Sequence, residues 1–552
     1  MKAISYRTLF IGLFSLSITP ALAQHPEPTL LRDVNPGPGD GTRYLQVIHG
    51  KIFFVGDNGV NGGEPWISDG TTGGTQMIKN INTPIPGYPY DQGSVPSNAV
   101  SLNTKISFLA RYESEMGTNE ALFLTDGTEA GTIKYADNIG AEWCVSRYDK
   151  LYFNAWDATH GRELWKSDGT AAGTTMIKDI NPGAGFSFPS YLTVVDSKVF
   201  FQASNGISGA ELWVTDGTTA GTNMVKDINP SGASSPSNFV AFAGKLFFVA
   251  NHVDYGSEIW TSDGTAAGTT LFKDIHVGVN GSYPSSFTIV GDKMYFIAYT
   301  IDEGSELWVT DGTADGTYMV KDINPGAEDG AFGYQFIQYN GKIFFCGRTT
   351  AHGIELWVTD GTEAGTYMYL DLEPGSGGSL PNGFKVYNNR LYFTANTTAA
   401  GNQLWCIEGE STTAQLVRPA DADVTASCLY ASLVVLDGSL YFDAHYSSSI
   451  GKELYKIQTT PFVPTSADDV SIEEKQTTVY PNPAQTSFMA ENKQLEFTTI
   501  AVYNILGQLI YQEEFSGANH ATIHCATWAP GYYSVRLKTK NGLILNKKIV
   551  KQ

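Results

Sequence analysis

The sequence predicts an all-β protein: a β-propeller of about nine four-stranded blades, closed by the N-terminal strand and followed by a small C-terminal β-sandwich. Three observations carry this reading. One unit recurs nine times, with the copies GAELWVTDGTTAGTNMVKDINP (from Gly209), GSELWVTDGTADGTYMVKDINP (from Gly304) and GRELWKSDGTAAGTTMIKDINP (from Gly161) the clearest. Each unit holds four short runs with strand character. The first and last repeats are incomplete in complementary ways.

The repeat period comes from a second aromatic block just upstream, such as KLFFVA at Lys245. Its second aromatic recurs at Phe54, Phe108, Phe153, Phe201, Phe248, Phe296, Phe345, Phe393 and Phe442, at spacings of 54, 45, 48, 47, 48, 49, 48 and 49 residues. In the unit at Phe248 the four runs are NFVAF, KLFFVA, EIWTS and TLFKDI, rich in β-branched and aromatic residues and bounded by Gly, Asp, Asn and Pro. Four strands per unit at this period match a propeller blade. The array opens with TLLRDVNPG from Thr29, a fourth strand, and ends with ELYKI from Glu453, a third strand. Pairing the two closes a ring and removes the open edge.

Seven of the ten tryptophans occupy one repeat position: Trp66, Trp165, Trp213, Trp260, Trp308, Trp357 and Trp405, with Phe123 and Tyr455 in the other two units. A side chain repeated at a strand centre is expected in the packing between blades rather than on a sugar-stacking platform. Such burial is worth roughly 4–6 kcal/mol before entropy. Two residues earlier stands Glu64, Glu163, Glu211, Glu258, Glu306, Glu355 or Glu453, and fifteen residues after five of these stands a lysine. A hairpin placing Trp213 opposite Met224 would set Glu211 against Lys226 as a cross-strand ion pair. Seven equivalent glutamates argue against catalytic acids, because a catalytic pair breaks a repeat. The DGTxxGT element reads as a turn, with Asp216 accepting from following N–H groups and Gly217 at positive φ.

No cofactor is expected. Asp179/Asn181, Asp227/Asn229 and Asp322/Asn324 of the DINPG stretches offer oxygen ligands for calcium, but no unit has the spacing of a calcium loop, and turn formation is the reading preferred. Variation concentrates between the second and third strands, in loops that share a face with the fourth-to-first connections. Trp156, His160, His252, Tyr255, His352 and His445 are the binding-face candidates. They form no catalytic or metal constellation, and no Ser-His-Asp, HExxH or phosphate-loop motif is found.

Over the full 552 residues the net charge is −21, charged residues make up 16%, aromatics 12% and apolar residues 42%. This excludes a disordered chain and disfavours nucleic acid and anionic membranes as partners. Lys2 and Arg7, the apolar run Leu9 to Leu16 and Ala21-Leu22-Ala23 indicate a signal peptide over residues 1–23, followed by Gln24 rather than a lipid-accepting Cys. No later segment is long and apolar enough to span a membrane. Five cysteines make no disulfide scaffold, although Cys406 and Cys428 stand close enough to pair; otherwise they are small buried apolar residues.

The repeats, from Thr29 to Ile457 within a propeller region of 24–457, resemble the ELWxxDGT (hyalin-like) repeats of bacterial secreted proteins. That family implies a surface or secreted array and brings no activity. A polar linker, 458–477, leads to residues 478–552. There Pro481-Asn482-Pro483, the turn Asn504 to Gln508 around Gly507, Gly531-Tyr532-Tyr533 and the basic pair Lys547-Lys548 resemble the type A C-terminal sorting domain of the type IX secretion system of Bacteroidota. Gln485 and Thr486 stand where that family often has a Gly. The resemblance implies handling by the secretion translocon and sortase, and a secreted or outer-membrane surface location. The function expected is noncatalytic recognition of a glycan or protein; a glycan-active enzyme on the variable face and a purely structural surface component are the alternatives.

Overall fold

The computed structural model describes residues 27–82, 93–114, 117–137, 142–423, 426–428, 432–458, 477–480, 484–492, 496–504, 509–528, 531–540 and 544–551. The signal segment 1–23 and nearly all of the linker lie outside them. The chain divides into two compact units, with the boundary between Thr459 and Thr460.

The first unit contains, among the described residues, nine four-stranded antiparallel sheets. Eight are built from consecutive strands; the fifth blade, for example, runs Ser237–Phe242, Lys245–His252, Gly256–Ser262 and Thr270–Lys273. The ninth takes three strands from Val434–Leu436, Ser439–Ser447 and Gly451–Ile457, and its fourth from Thr29–Arg32. Leu30 lies opposite Tyr455 there, the N-terminal closure expected from the half-repeats.

Side chains alternate across each strand, so both faces of a blade are apolar. In the fourth blade Phe201 and Trp213 face the third blade and pack with its Tyr152 and Leu164. Phe200 faces the other way, into a core with Phe248 and Trp260 of the fifth. Mixed cores of this kind join all nine successive pairs, including ninth to first, where Tyr441 and Leu454 meet Phe54 and Trp66. The repeated tryptophans are therefore packing residues.

Two register features were invisible in the sequence. The first strand of eight blades carries a bulge, and in five blades a non-glycine side chain adopts positive φ there. Asn238, at φ 53°, uses the bend to donate from Nδ2 to the Pro284 carbonyl of the next blade, 3.1 Å away. A second bulge, between Leu212 and Trp213, keeps Trp213 opposite Met224 but sets Lys226 against Leu212. The expected Glu211–Lys226 pair is thus wrong: the extra residue rotates the lysine to the neighbouring blade, where Nζ donates to the Thr269 carbonyl at 2.9 Å. Cys406 and Cys428 share one core as thiols, with no disulfide between them.

The second unit is a sandwich. Strands Thr477–Tyr480, Ser487–Asn492 and His520–His524 form one sheet, and Leu509–Ala518, Phe497–Asn504, Gly531–Thr539 and Ile544–Lys551 form the other. Phe488 and Ile523 of the first meet Ile500, Val502 and Val535 of the second in one core.

Replacing a buried aromatic leaves a cavity as well as lost transfer energy. Trp213→Ala is expected to destabilise the propeller by about 3–5 kcal/mol, whereas Trp156→Ala, at an exposed site, changes the unfolding midpoint little. Denaturant titration of both variants checks this.

Candidate functional site

One end of the blades carries the second-to-third and the fourth-to-first loops together. The two are held so closely that a Cβ at Gly256, where the first loop enters the third strand, would lie 2.6 Å from the Val279 carbonyl in the second. The clamp beneath them is the repeated glutamate. Glu64, Glu163, Glu211, Glu258, Glu306, Glu355 and Glu453 are all fully buried. Glu355 accepts from the backbone N–H groups of Leu372 (3.0 Å), Glu373 (3.1 Å) and Ser379 (2.8 Å) and from Ser379 Oγ (2.6 Å). The same serine hydroxyl reaches Glu64 from Ser94, Glu163 from Ser187, Glu211 from Ser234 and Glu258 from Ser282. These carboxylates satisfy a buried loop, not a reactant.

Burial raises all of these carboxyls, and the donors oppose it. Glu163 is pushed up to about 7. Glu306 and Glu453, where Gly330 and Gly41 replace the serine, reach about 8. Asp322 beside Glu306 and Asp33 beside Glu453 push in the same direction.

Directly after the clamped serine comes a side chain held at positive φ: Val95 (40°), Phe188 (47°), Ser235 (45°), Tyr283 (47°) and Leu380 (52°). A proline follows each, and a non-glycine residue in that region is strained by about 1–3 kcal/mol. Phe188, Tyr283 and Leu380 are more than half exposed. Sequence reasoning missed these positions, although the recurring Ser-x-Pro was visible. Val60, Ile207, Val253 and Ile301 extend the apolar display from the second-to-third loops. At the opposite end the hairpins are polar, with pairs such as Lys150 Nζ–Asp168 Oδ2 at 3.3 Å. There the DGT turn forms as expected: Asp216 Oδ1 accepts from Thr218 N at 2.8 Å, and Gly217 sits at φ 94°.

The six binding-face candidates are not brought together; they belong to the third, fifth, seventh and ninth blades. Trp156 is 41% exposed and lines a groove of about 540 Å³ together with Lys134, Asp137, Asp157 and Trp165. His160 is bound by its own loop, Nδ1 lying 2.9 Å from Asp157 Oδ2, which raises the imidazole. His252 stacks on Tyr255 and leans on Trp260. His352 Nδ1 lies 2.8 Å from Asp371 Oδ2. His445 bridges by its backbone to Ser427. Among the described residues no three His, Cys, Asp or Glu side chains converge as metal ligands. The DINPG residues hold backbone in their own and the neighbouring loop: Gly183 N donates to Asp179 Oδ2 at 3.2 Å, Asn181 Nδ2 donates to the Phe186 carbonyl at 3.1 Å, and Asn324 Oδ1 accepts from Thr350 N of the next blade at 3.1 Å.

In the second unit Gly531 opens a strand opposite Lys551, and Lys547 and Lys548 pair by backbone with Val535 and Ser534. Pro481, Asn482, Pro483 and Gly507 lie outside the described residues. Residues 478–552 match the family model for the secretion system C-terminal sorting domain. The chain carries a type IX secretion sorting domain. That domain directs it to the cell surface or the extracellular space and implies contact with the type IX machinery. No helix among the described residues is long and apolar enough to cross a membrane.

Similarity elsewhere is distant. An endo-acting ulvan lyase of Formosa agariphila is 31% identical over 85 residues, 15% of this chain and 16% of that protein. The chain thus matches about a sixth of that relative's length. The β-propeller domain of the Trilobed protease from Pyrococcus furiosus is 12% identical, with a TM-score of 0.30, over 59% of this chain and 99% of that one. Puromycin hydrolase is 14% identical, with a TM-score of 0.33, over 63% and 58%.

Folding raises the clamp carboxyls above the ordinary value of 4.5, so the folded state holds their protons more tightly than the unfolded chain. For Glu306 and Glu453 that contribution is full below about pH 4.5 and is lost as pH rises through about 8, and for Glu163 as it rises through about 7. Thermal melts between about pH 5 and pH 9 should therefore show falling stability. Glu306→Gln is expected to flatten that fall. Glu355→Gln, which turns one of the two oxygens that accept from four donors into an amide NH2, should cost about 2 kcal/mol.

Proposed function

We propose that the propeller is a noncatalytic recognition module, exported by the type IX system to bind a ligand at or beyond the cell surface. One observation carries this reading: the glutamate–serine clamp recurs in five blades while the residue displayed after it varies. Glutamate and serine repeat from blade to blade, yet Val95, Phe188, Ser235, Tyr283 and Leu380 differ in size and polarity. A scaffold that spends strain to hold varied side chains outward on one face is suited to contact, since strain of this kind collects where function requires a fixed geometry. Exposed apolar residues gathered on one face mark interaction surfaces in the same way. The carboxylates that a glycan-active enzyme would need are, in the repeat, engaged beneath the loops.

The test uses the full chain with a panel of immobilised polysaccharides, followed by chromatography of the soluble products. Retention without new reducing ends or unsaturated sugars is the expected result; product release overturns the noncatalytic reading. Tyr283→Gly relieves the positive φ and should leave the melting temperature unchanged or raised, which makes it a folded probe of the displayed face. Chelation with EDTA is expected to leave both retention and melting unchanged.

A further inference from the structure

Of the junctions where the repeat departs from its pattern, the one between the second and third blades opens a site. At two junctions a lysine at the end of the fourth strand covers the tryptophan of the next blade. Lys178 Nζ lies 5.9 Å from the Trp213 ring centre and donates to the Thr222 carbonyl at 2.7 Å. Lys226 treats Trp260 and Thr269 alike, at 5.8 and 2.9 Å. In the second blade the same register position, opposite Leu122 as Lys178 is opposite Leu164, is Ala136. The lysine stands two residues earlier, as Lys134, and turns back onto its own blade: Nζ lies 2.7 Å from Asp137 Oδ2 and 3.9 Å from the Tyr112 ring centre.

Trp165 of the third blade is consequently only half-buried, whereas Trp213 and Trp260 retain 6% and 4% exposure. The space the lysine would fill joins the groove of about 540 Å³, which Trp156 and Thr174, the counterpart of Thr222, also line. Its volume lies within the range of small-ligand sites.

Resting on the recognition reading above, we propose that this groove between the second and third blades binds a neutral saccharide, seated against Trp156 and Trp165. Two indoles offer apolar surface to the C–H faces of a pyranose. The carboxylates of Asp137 and Asp157 and the ammonium of Lys134 offer acceptors and a donor to its hydroxyls. Charge selects against a polyanionic glycan. The Lys134 ammonium is already matched by Asp137, Asp157 faces His160, and the chain as a whole carries −21. A sulfated or uronate-rich chain would meet no net positive charge there.

The experiment measures binding of the full chain to neutral and to anionic oligosaccharides by titration calorimetry and tryptophan fluorescence, with Trp156→Ala, Ala136→Lys and Tyr283→Gly as variants. Ala136→Lys restores the residue that other junctions carry, so it closes the groove without a foreign side chain. Melting curves establish that all three fold. The expected result is saturable binding of a neutral oligosaccharide with a change in indole emission. Binding should weaken about tenfold in Trp156→Ala, be lost in Ala136→Lys, and stay unchanged in Tyr283→Gly. Binding that survives both groove variants but fails in Tyr283→Gly overturns the groove and leaves the recognition reading standing. Selective binding of anionic glycans, or of no glycan at all, overturns the saccharide assignment, while sugar cleavage overturns the recognition reading itself.

Discussion

Each blade is a four-stranded sheet with two apolar faces, and it can cover neither face by itself. That constraint organises the molecule. A face left open would expose a row of phenylalanine and tryptophan side chains, so every blade needs two neighbours, and a finite row of blades needs closure. Closure is supplied by strand pairing within the one chain, because Thr29–Arg32 completes a sheet whose other strands lie more than 400 residues away in sequence. Once the ring is closed, all connections are forced to one of its two ends. The ends differ: two-residue polar hairpins and DGT turns occupy one, longer loops with exposed apolar side chains the other.

The glutamate clamp makes those longer loops usable. A fourth-to-first connection turns sharply over the core and would leave several N–H groups without acceptors in a dry setting. One carboxylate takes as many as four of them. An ionised acceptor forms stronger bonds than an amide oxygen, which offsets part of the cost of burying it. Where the serine is replaced by Gly330 or Gly41, one hydroxyl donor is missing, and Glu306 and Glu453 hold their protons longest. The clamp also decides which residue points outward, so packing chemistry in the loop and display on the surface are two results of one arrangement.

Export sets a further demand that the fold meets by burial rather than cross-linking. A chain sent outside the cell by a type IX sorting domain passes through an oxidising environment with five cysteines. Burial pushes the thiols of Cys144, Cys346, Cys406 and Cys428 up to about 12, far from the thiolate that reacts with oxidants and attacks disulfides. Stability comes instead from nine interblade cores and, in the sorting domain, from a separate core around Phe488 and Val535.

The sequence by itself determined the repeat, the number of blades, the strand order and the route of closure, because all of these follow from periodic aromatic residues and from half-units that complement one another. It also placed the sorting domain, whose motifs are local. What needed the tertiary structure was everything governed by a register shift of one residue or by a neighbour distant in the chain. The bulge before Trp213 turned the expected Glu211–Lys226 pair into a clamp and a lysine cover on the next blade. The strained residues after the serines follow from hydrogen bonds to a glutamate some 23 to 30 positions upstream. Trp156 was legible as a residue of the variable face, although it lies at the end of a strand rather than in the loop expected, and its partnership with Trp165 was not legible. That partnership depends on Ala136 of a different blade, and a missing side chain becomes a groove only when two sheets are set side by side.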